Sequence, residues 1–255
     1  PRAFDDENVV RVLDAGALDD GSPFLVMELL AGSSLKEYLA ERPPLPVLEA
    51  LDLILQAAAG VSAAHAQQIV HRDLKPTNIM VIPTPLGSTV KVLDFGIAKL
   101  RQPLTELTEL TGTHDAVGSP GFMAPEQLRD ARRVDERADV WALGQILYRA
   151  LTGKPSFDAK HAAEYFAMIA SEAPTPILSH RADLPSGLAA AVMLAPLRSG
   201  PQPTRTQNAA FIPLLFMGSL LTESFFGIPG LGSYTIDAIN AQDFPVVRAM
   251  VFIGS

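Results

Sequence analysis

Cysteine is absent from this 255-residue sequence, which excludes disulfide bonds, zinc–thiolate sites and cysteine nucleophiles and fits a reducing compartment. A basic excess is also absent, since 20 Lys and Arg stand against 28 Asp and Glu. The resulting net charge of −8 argues against a nucleic-acid-binding face. Apolar residues, by contrast, make up 48% of the chain, enough to bury a substantial core and to exclude a disordered composition.

Charge is scarce in the last part of the chain. Residues 201–255 hold only two basic and three acidic side chains, and residues 206–222 form a run of 17 without any charge. A membrane-spanning helix needs about 20 consecutive apolar residues. Composition alone therefore leaves two alternatives open for this run, a buried segment or a membrane span.

Hydrophobic patterning in residues 1–200 predicts a mixture of strands and helices. Strands are predicted at Val9–Leu13, Phe24–Leu29, Ile79–Ile82 and Val90–Leu93, with turn-forming residues inside each pair. Helices are predicted at about 35–41, 47–66, 139–152 and 159–171. In the longest helix, the apolar stripe is predicted on Leu48, Leu51, Leu55, Ala58, Ser62 and His65, widened by Ile54 and Val61. Residues 101–120 are predicted to form a loop, and residues 196–203 a linker.

Three motifs carry the chemistry. They are His71-Arg72-Asp73-Leu74-Lys75-Pro76-Thr77-Asn78, then Asp94-Phe95-Gly96, then Ala124-Pro125-Glu126. Asn78 precedes one strand of a predicted antiparallel hairpin and Asp94 follows the other, so the hairpin brings both to its base. An amide oxygen and a carboxylate at one point suit a hard cation such as Mg²⁺. Asp73 lies five residues before Asn78 and can face an acceptor hydroxyl.

These motifs resemble the protein-kinase set over residues 7–198, in the manner of bacterial serine/threonine kinases. The resemblance implies an α+β fold, mostly the helical C-lobe with a remnant of the N-lobe sheet, and ATP and Mg²⁺ as cofactors. It implies that Asp73 orients the substrate hydroxyl, that Lys75 steadies the γ-phosphate, and that Asn78 and Asp94 hold metal. Lys75, two residues after Asp73, is typical of kinases that act on Ser and Thr of protein substrates.

The same resemblance assigns further residues. Met27 is implied as gatekeeper of the adenine site and the Glu28–Leu30 backbone as the hinge facing adenine, with Leu30 at its end. Met27 and Trp141 are also expected in the core, His71 is expected to be structural, and Asp139 is expected both to cap its helix and to hold the catalytic loop. Arg72 is implied as a phosphate clamp, with candidate phosphorylation sites at Thr105, Thr108, Thr111 and Thr113 and a substrate contact at Ser119. The threonine-rich loop could equally be a solvated one.

Parts of a kinase are missing from the sequence. No Gly-x-Gly-x-x-Gly occurs before residue 30, and the first lysine is Lys36. These parts normally cover and anchor the phosphates of ATP. We therefore expect a truncated N-lobe remnant at 1–30, a C-lobe at 31–198 and a tail at 199–255. We also expect weak ATP binding and negligible turnover by this chain, and an inactive interaction module (a pseudokinase) is an alternative.

The tail has a resemblance of its own. Residues 222–232, with Gly-Ile-Pro-Gly-Leu-Gly at 227–232, and Asp243–Arg248 resemble permease subunits of dipeptide and oligopeptide ABC importers over 206–255. This implies an apolar helical segment, membrane contact through 206–255 and a cytoplasmic kinase portion. Because two unrelated families meet near 196–203, a gene fusion is expected, and a permease joined to kinase-like sequence is the alternative.

Overall fold

A computed structural model describes residues 6–85, 87–95, 120–129 and 134–197. Its strands are β1 (Val12–Ala17), β2 (Pro23–Met27), β3 (Ser33–Ser34), β4 (Ile79–Thr84) and β5 (Gly87–Val92). Its α-helices are α1 (Leu35–Glu41), α2 (Val47–Ala66), α3 (Pro125–Arg129), α4 (Arg137–Thr152), α5 (Ala162–Ser171) and α6 (Ser186–Leu197). Short 3₁₀ turns lie at Pro76–Asn78, Pro120–Phe122 and Ile177–Ser179. The mixed α+β class is confirmed, and the tail at 199–255 lies outside the described residues.

Two separate antiparallel sheets carry the strands. β1 pairs with β2, and β3, β4 and β5 form a second sheet in that order. The predicted hairpin over 79–93 is confirmed, with Ile79 opposite Val92 and Thr84 opposite Gly87. Register matters here because the side-chain period is two. It puts Ile79, Val81, Val90 and Val92 in the core, each at most 2% exposed.

The first predicted strand is displaced along the chain. It was predicted at Val9–Leu13, whereas β1 begins at Val12 and runs to Ala17. Val9 instead forms a parallel bridge with Val92, and the Val10 N–H donates to the Val92 carbonyl at 3.0 Å. The β-prone run at 9–13 is therefore divided: Val9 pairs with β5 and Val12 pairs with β2. Val9 is buried beside β5, whereas every residue of β2 is exposed.

Helix α2 spans the predicted residues and forms the centre of the core with α4. Its buried residues are Ala50, Leu51, Leu53, Ile54, Ala57, Gly60, Val61 and Ala64. The predicted stripe was offset, since Leu48 is 52% exposed. A helix that is apolar on most sides gives periodicity little to distinguish one face from another.

Gly60 shows how closely α2 is approached. A Cβ at this position would lie 2.5 Å from the Asn8 carbonyl oxygen. The buried Asn8 amide in turn donates to the Val90 carbonyl at 2.9 Å. Glycine inside a helix costs about 1 kcal/mol relative to alanine. Glycine at position 60 nevertheless allows the Asn8 backbone to lie against α2, and this contact joins residues 8–10 to α2 and β5.

By length and composition alone, α2 could cross a membrane, with a mean hydropathy of 1.5. Helices of its kind in the core of a soluble domain meet the same criteria, and eight of its residues are buried within the fold. The apolar run at 206–222 lies outside the part of the chain that the structure describes.

Helices α1 and α4 show how local signals set their ends. Ser34 and Glu37 form a capping box, in which the Ser34 N–H donates to the Glu37 carboxylate at 2.8 Å. Helix α4 ends at Gly153, whose φ of 71° is the left-handed conformation that glycine favours. The linker predicted from Pro196 is wrong at its start, since α6 continues through Pro196 to Leu197.

Candidate active site

The first motif forms a loop that ends at the base of the β4–β5 hairpin. A 3₁₀ turn over Pro76–Asn78 leads directly into β4, and the Asn78 N–H donates to the Lys75 carbonyl at 2.9 Å. The Leu93 N–H donates to the Asn78 carbonyl at 2.8 Å, so Asp94 follows immediately beside Asn78. The hairpin therefore brings the two segments together, as its spacing predicts.

Asp73 and Lys75 face each other on this loop. The Lys75 ammonium lies 3.0 Å from the Asp73 carboxylate, and their side chains are 22% and 16% exposed. The Asn78 amide donates to the Asp73 carbonyl at 2.9 Å, which fixes the loop from the inside. A carboxylate next to a cation, partly open to solvent, can accept a proton and stabilise an anion at the same place.

His71 braces the loop against the strand that precedes Asp94. It is fully buried, and its Nδ1 accepts from the Asp73 N–H at 3.3 Å. Its Nε2 therefore carries the proton and donates to the Leu93 carbonyl at 2.7 Å. Burial lowers the pKa of His71, with the nearby Asp139 carboxylate acting in the opposite direction. This neutral, fully bonded imidazole agrees with the structural role expected for it.

Asp139 holds the loop backbone from α4. Its carboxylate is 1% exposed and accepts from the His71 N–H and the Arg72 N–H, each at 2.8 Å. Arg72 has a φ of 63°, a conformation rarely adopted by residues other than glycine. The predicted capping role of Asp139 is wrong, because α4 begins at Arg137 and Glu136 occupies the N-cap. Asp139 lies inside the first turn, where the carboxylate can reach across to the loop.

Two residues at the site were missed from sequence. His65 Nε2 lies 2.8 Å from the Asp139 carboxylate and completes its set of partners. Gln127 donates from its amide to the Arg72 carbonyl at 2.8 Å, and its amide oxygen accepts from the Ala124 N–H at 2.9 Å. The contact that joins each of them to the site is with a residue distant in the sequence, 74 positions away for His65 and 55 for Gln127, so no local pattern indicates it.

A family model described as the protein kinase domain matches residues 2–187. The chain belongs to the protein kinase domain family. It is 38% identical to the serine/threonine-protein kinase pkn3 of Myxococcus xanthus over 177 residues, which cover 69% of this chain and 32% of that protein. It is 38% identical to PrkC of Bacillus subtilis over 160 residues, covering 63% and 23%. PknB of Mycobacterium leprae is 35% identical over 158 residues, covering 61% and 24%.

A solved structure agrees on the fold. The PknI kinase domain of Mycobacterium tuberculosis superimposes with a TM-score of 0.55 at 24% identity, covering 77% of this chain and 65% of that chain. The chain spans about a third or less of the length of these curated relatives, at 32%, 23% and 24%. The kinase fold is thus established, while the permease resemblance of the tail stays a prediction.

The hinge residues predicted for this kinase domain lie after β2. Met27 is 38% exposed, so its expected place in the core is wrong, whereas Trp141 is buried at 2%. Glu28 accepts from the Arg11 N–H at 2.9 Å and pairs with the Lys91 ammonium at 2.8 Å. Contact with Lys91 is the main cause that lowers the pKa of the Glu28 carboxyl. Leu30 is half-buried, and the adenine-facing role of this stretch stays a prediction.

The two predicted metal ligands fit the ion that kinases use. The Asn78 amide nitrogen is engaged with Asp73, which leaves its oxygen with only the Thr77 hydroxyl at 3.4 Å. Asp94 is exposed, with a φ of 50° that turns the chain away from β5. Mg²⁺ commonly takes one or two protein oxygens and completes its shell with water and phosphate. Within the described ranges, no cluster of three or more His, Asp or Glu side chains could hold a metal ion.

The activation segment is only partly described. Thr105, Thr108, Thr111, Thr113 and Ser119 lie outside the described residues. Arg72 is described, and its guanidinium donates to the Val134 carbonyl at 3.4 Å, while its buried Nε has no hydrogen-bond partner in the ranges that the structure describes. Of the predicted phosphate clamp and its candidate phosphorylation sites, only Arg72 lies among the described residues, and the clamp stays a prediction.

Proposed function

We propose that this chain carries the phosphotransfer site of a serine/threonine protein kinase, which transfers the γ-phosphate of ATP to a Ser or Thr hydroxyl of a protein. The observation that carries the proposal is the pair of Asp73 and Lys75, 3.0 Å apart on a loop fixed by Asp139. Because phosphoryl transfer needs alignment and charge neutralisation more than covalent help from the protein, this arrangement supplies what the reaction requires.

Each residue has a separate task in this proposal. The Asp73 carboxylate orients the acceptor hydroxyl and takes its proton as the new O–P bond forms and the bond to ADP breaks. Lys75 neutralises the Asp73 carboxylate before the reaction and the transferring phosphoryl oxygens during it. Asn78 and Asp94 would hold Mg²⁺, which supplies charge neutralisation between the phosphates when bound. His71 and Asp139 keep the loop in its strained conformation.

We propose further that these 255 residues bind ATP weakly on their own. The sequence has no glycine-rich loop before residue 30 and no lysine before Lys36, so it lacks the usual cation and roof for the phosphates. The same lack favours the second candidate, an inactive interaction module. We accordingly propose three units, an N-lobe remnant at 1–30, a C-lobe at 31–198 and a tail at 199–255.

The decisive experiment supplies the lacking parts. The pkn3 segment that precedes its matched region would be joined ahead of the residues of this chain that match it, with Asn8 retained, and transfer from ATP–Mg²⁺ to serine peptides would be measured. We expect turnover that Asp73→Asn lowers by about 10³-fold or more, since it removes the base and the charge that aligns the hydroxyl. Lys154→Gln, a change on the exposed surface, serves as the control. Equal rates for the fusion and its Asp73→Asn form would refute the phosphotransfer proposal.

The tail supports a separate proposal, that residues 206–255 contact a membrane as a permease-like segment beside a cytoplasmic kinase portion. Its support is the uncharged run at 206–222 and the Gly-Ile-Pro-Gly-Leu-Gly sequence at 227–232. Protease digestion of the full chain with phospholipid vesicles tests this. Protection of the tail is expected, and digestion as fast as in buffer would exclude membrane contact.

A further inference from the structure

A cleft separate from the phosphotransfer loop opens between α4 and α5, with a volume of about 200 Å³. The 3₁₀ turn at Gly121–Phe122 forms one wall, and Phe157 and Tyr165 form another. Gln145 and Arg149, both with polar side chains, line the cleft from α4. The cleft therefore combines aromatic walls with a small number of polar groups, as ligand sites commonly do.

The polar groups of α4 are hydrogen-bond donors in need of an acceptor. Gln145 is 4% exposed, and its amide oxygen accepts from the Ser156 hydroxyl while its Nε2 is buried and has no hydrogen-bond partner within the described part of the chain. A buried donor left unpaired is unfavourable and marks a place where a ligand can be satisfied. Arg149 lies four residues further on the same helix face and, among the described residues, has no ion pair. Arg149 is exposed and lines the cleft.

A negatively charged ligand group would complement the donors of Gln145 and Arg149. A carboxylate accepts several hydrogen bonds, and arginine binds it with two parallel donors. Asp158, the acidic residue of the cleft wall, is exposed, so water screens its repulsion. The net charge of −8 repels acidic ligands in general, and a preference for one would have to arise from these local groups.

Hydrogen bonds connect the cleft wall to the catalytic loop. The Tyr165 hydroxyl donates to the Met123 carbonyl at 3.2 Å, next to Phe122. Gln127 then joins Ala124 to the Arg72 carbonyl, adjacent to Asp73. The wall of the cleft and the phosphotransfer loop are thus linked by a short series of hydrogen bonds. A polypeptide extended from one to the other can place one side chain at each.

We propose that this cleft binds an Asp or Glu side chain of the polypeptide substrate, through Gln145 Nε2 and the Arg149 guanidinium. This inference rests on the proposed kinase function and names a determinant of its substrate class. Arg149 and Gln145 would set specificity and would take no part in the transfer of the phosphate.

The test measures peptide binding and phosphotransfer separately. Fluorescein-labelled peptides with one serine in a neutral Ala/Gly background carry a single Glu, Gln or Lys at successive positions on either side. Their affinity for the full 255-residue chain is measured by fluorescence anisotropy, and their phosphorylation by the fusion described above. We expect Glu at one or two adjacent positions to bind about tenfold more tightly than Gln, as a charge-assisted hydrogen bond in a partly buried site would give.

Two variants with equal net charge separate local recognition from the overall field. Arg149→Gln and Lys154→Gln each remove one positive charge from the exposed surface, but only Arg149 lines the cleft. We expect Arg149→Gln to abolish the Glu preference and Lys154→Gln to keep it. Gln145→Leu, checked by its melting temperature, should weaken the preference several-fold.

The outcomes distinguish the two proposals. A Glu preference without phosphotransfer by the fusion would retain the acidic-peptide cleft and refute the kinase function. Phosphotransfer without any Glu preference, or with a preference for Lys, would refute the cleft and retain the function. Absence of measurable peptide binding, or equal effects of Arg149→Gln and Lys154→Gln, would also overturn the inference.

Discussion

Two antiparallel hairpins of almost equal length have opposite environments in this protein. In the β4–β5 hairpin, Val90 and Val92 are fully buried beneath α2. In the β1–β2 hairpin, every residue of both strands is exposed, with Leu25 at 52% and Leu13 at 60%. Both have β-prone sequences, so pairing alone does not distinguish them. The difference teaches that the catalytic hairpin is held by tertiary packing, whereas β1–β2 presents apolar surface that no described residue covers.

Loss of the Asp139 carboxylate should have the largest effect on the buried side of this comparison. Asp139→Ala removes the acceptor for the His71 and Arg72 N–H groups and leaves His65 without it. We expect the free energy of unfolding to fall by about 3–5 kcal/mol, as for other buried charge networks that lose one partner. Urea denaturation measures this.

Asp183→Ala is the matched control for Asp139→Ala. Its carboxylate is 71% exposed and lies 3.4 Å from Arg181. An exposed pair of this kind contributes about 0–1 kcal/mol. Similar losses in the two variants would show that the loop is not held from α4.

The hairpins themselves can be compared by truncation. Ile79→Ala in β4 removes a fully buried side chain, and we expect a loss of about 2–5 kcal/mol from transfer and cavity terms. Leu25→Ala in β2 removes a half-exposed side chain and should change stability by about 0.5 kcal/mol or less. The same urea titrations test both. A large loss at Leu25 would mean that β1–β2 is covered in solution.

Acid should loosen the catalytic loop through His71. Burial lowers the pKa of folded His71 below the ordinary value of 6.5. On acidification the unfolded chain binds the proton first, so the free energy of unfolding falls as pH drops from 6.5 towards the folded pKa. The slope is at most about 1.4 kcal/mol per pH unit for one proton.

The His71 contribution appears as a difference between two chains. We expect wild type to lose more stability between pH 7 and pH 5 than His71→Gln, which cannot titrate at this position. The other four histidines are common to both and cancel in the difference. Parallel pH profiles would contradict a buried, neutral His71.

The smallest expected effect lies at the link between the two hairpins. Lys91 on β5 pairs with Glu28 just after β2, and the pair is only partly buried. Glu28→Gln should lower stability by about 1 kcal/mol or less and less so at high salt. Hydrogen exchange of β1–β2 amides should nevertheless quicken, while that of β4–β5 stays unchanged. Equal exchange in both hairpins would remove the contrast between them.

Prediction from sequence succeeded where the signal was local. Helices α1 and α2 were predicted at their observed ends from apolar periodicity and from the prolines between them. The proximity of Asn78 to Asp94 followed from their positions at the two ends of one hairpin. It failed for Val9, because its partner Val92 is distant in the sequence. Of the two roles expected of Asp139, the contact with the loop backbone is observed and the helix cap is not. Met27, expected in the core, is exposed.

The sequence by itself determined the kinase family, most of the helices and the order of the proposed catalytic residues, because these depend on short motifs and on periodicity along the chain. Only the tertiary structure decided which face of α2 is buried, that His65 and Gln127 support the loop, and that Gln145 and Arg149 share a cleft. Such features need side chains dozens of residues apart to meet, and no local pattern records which of the many apolar or polar candidates will do so.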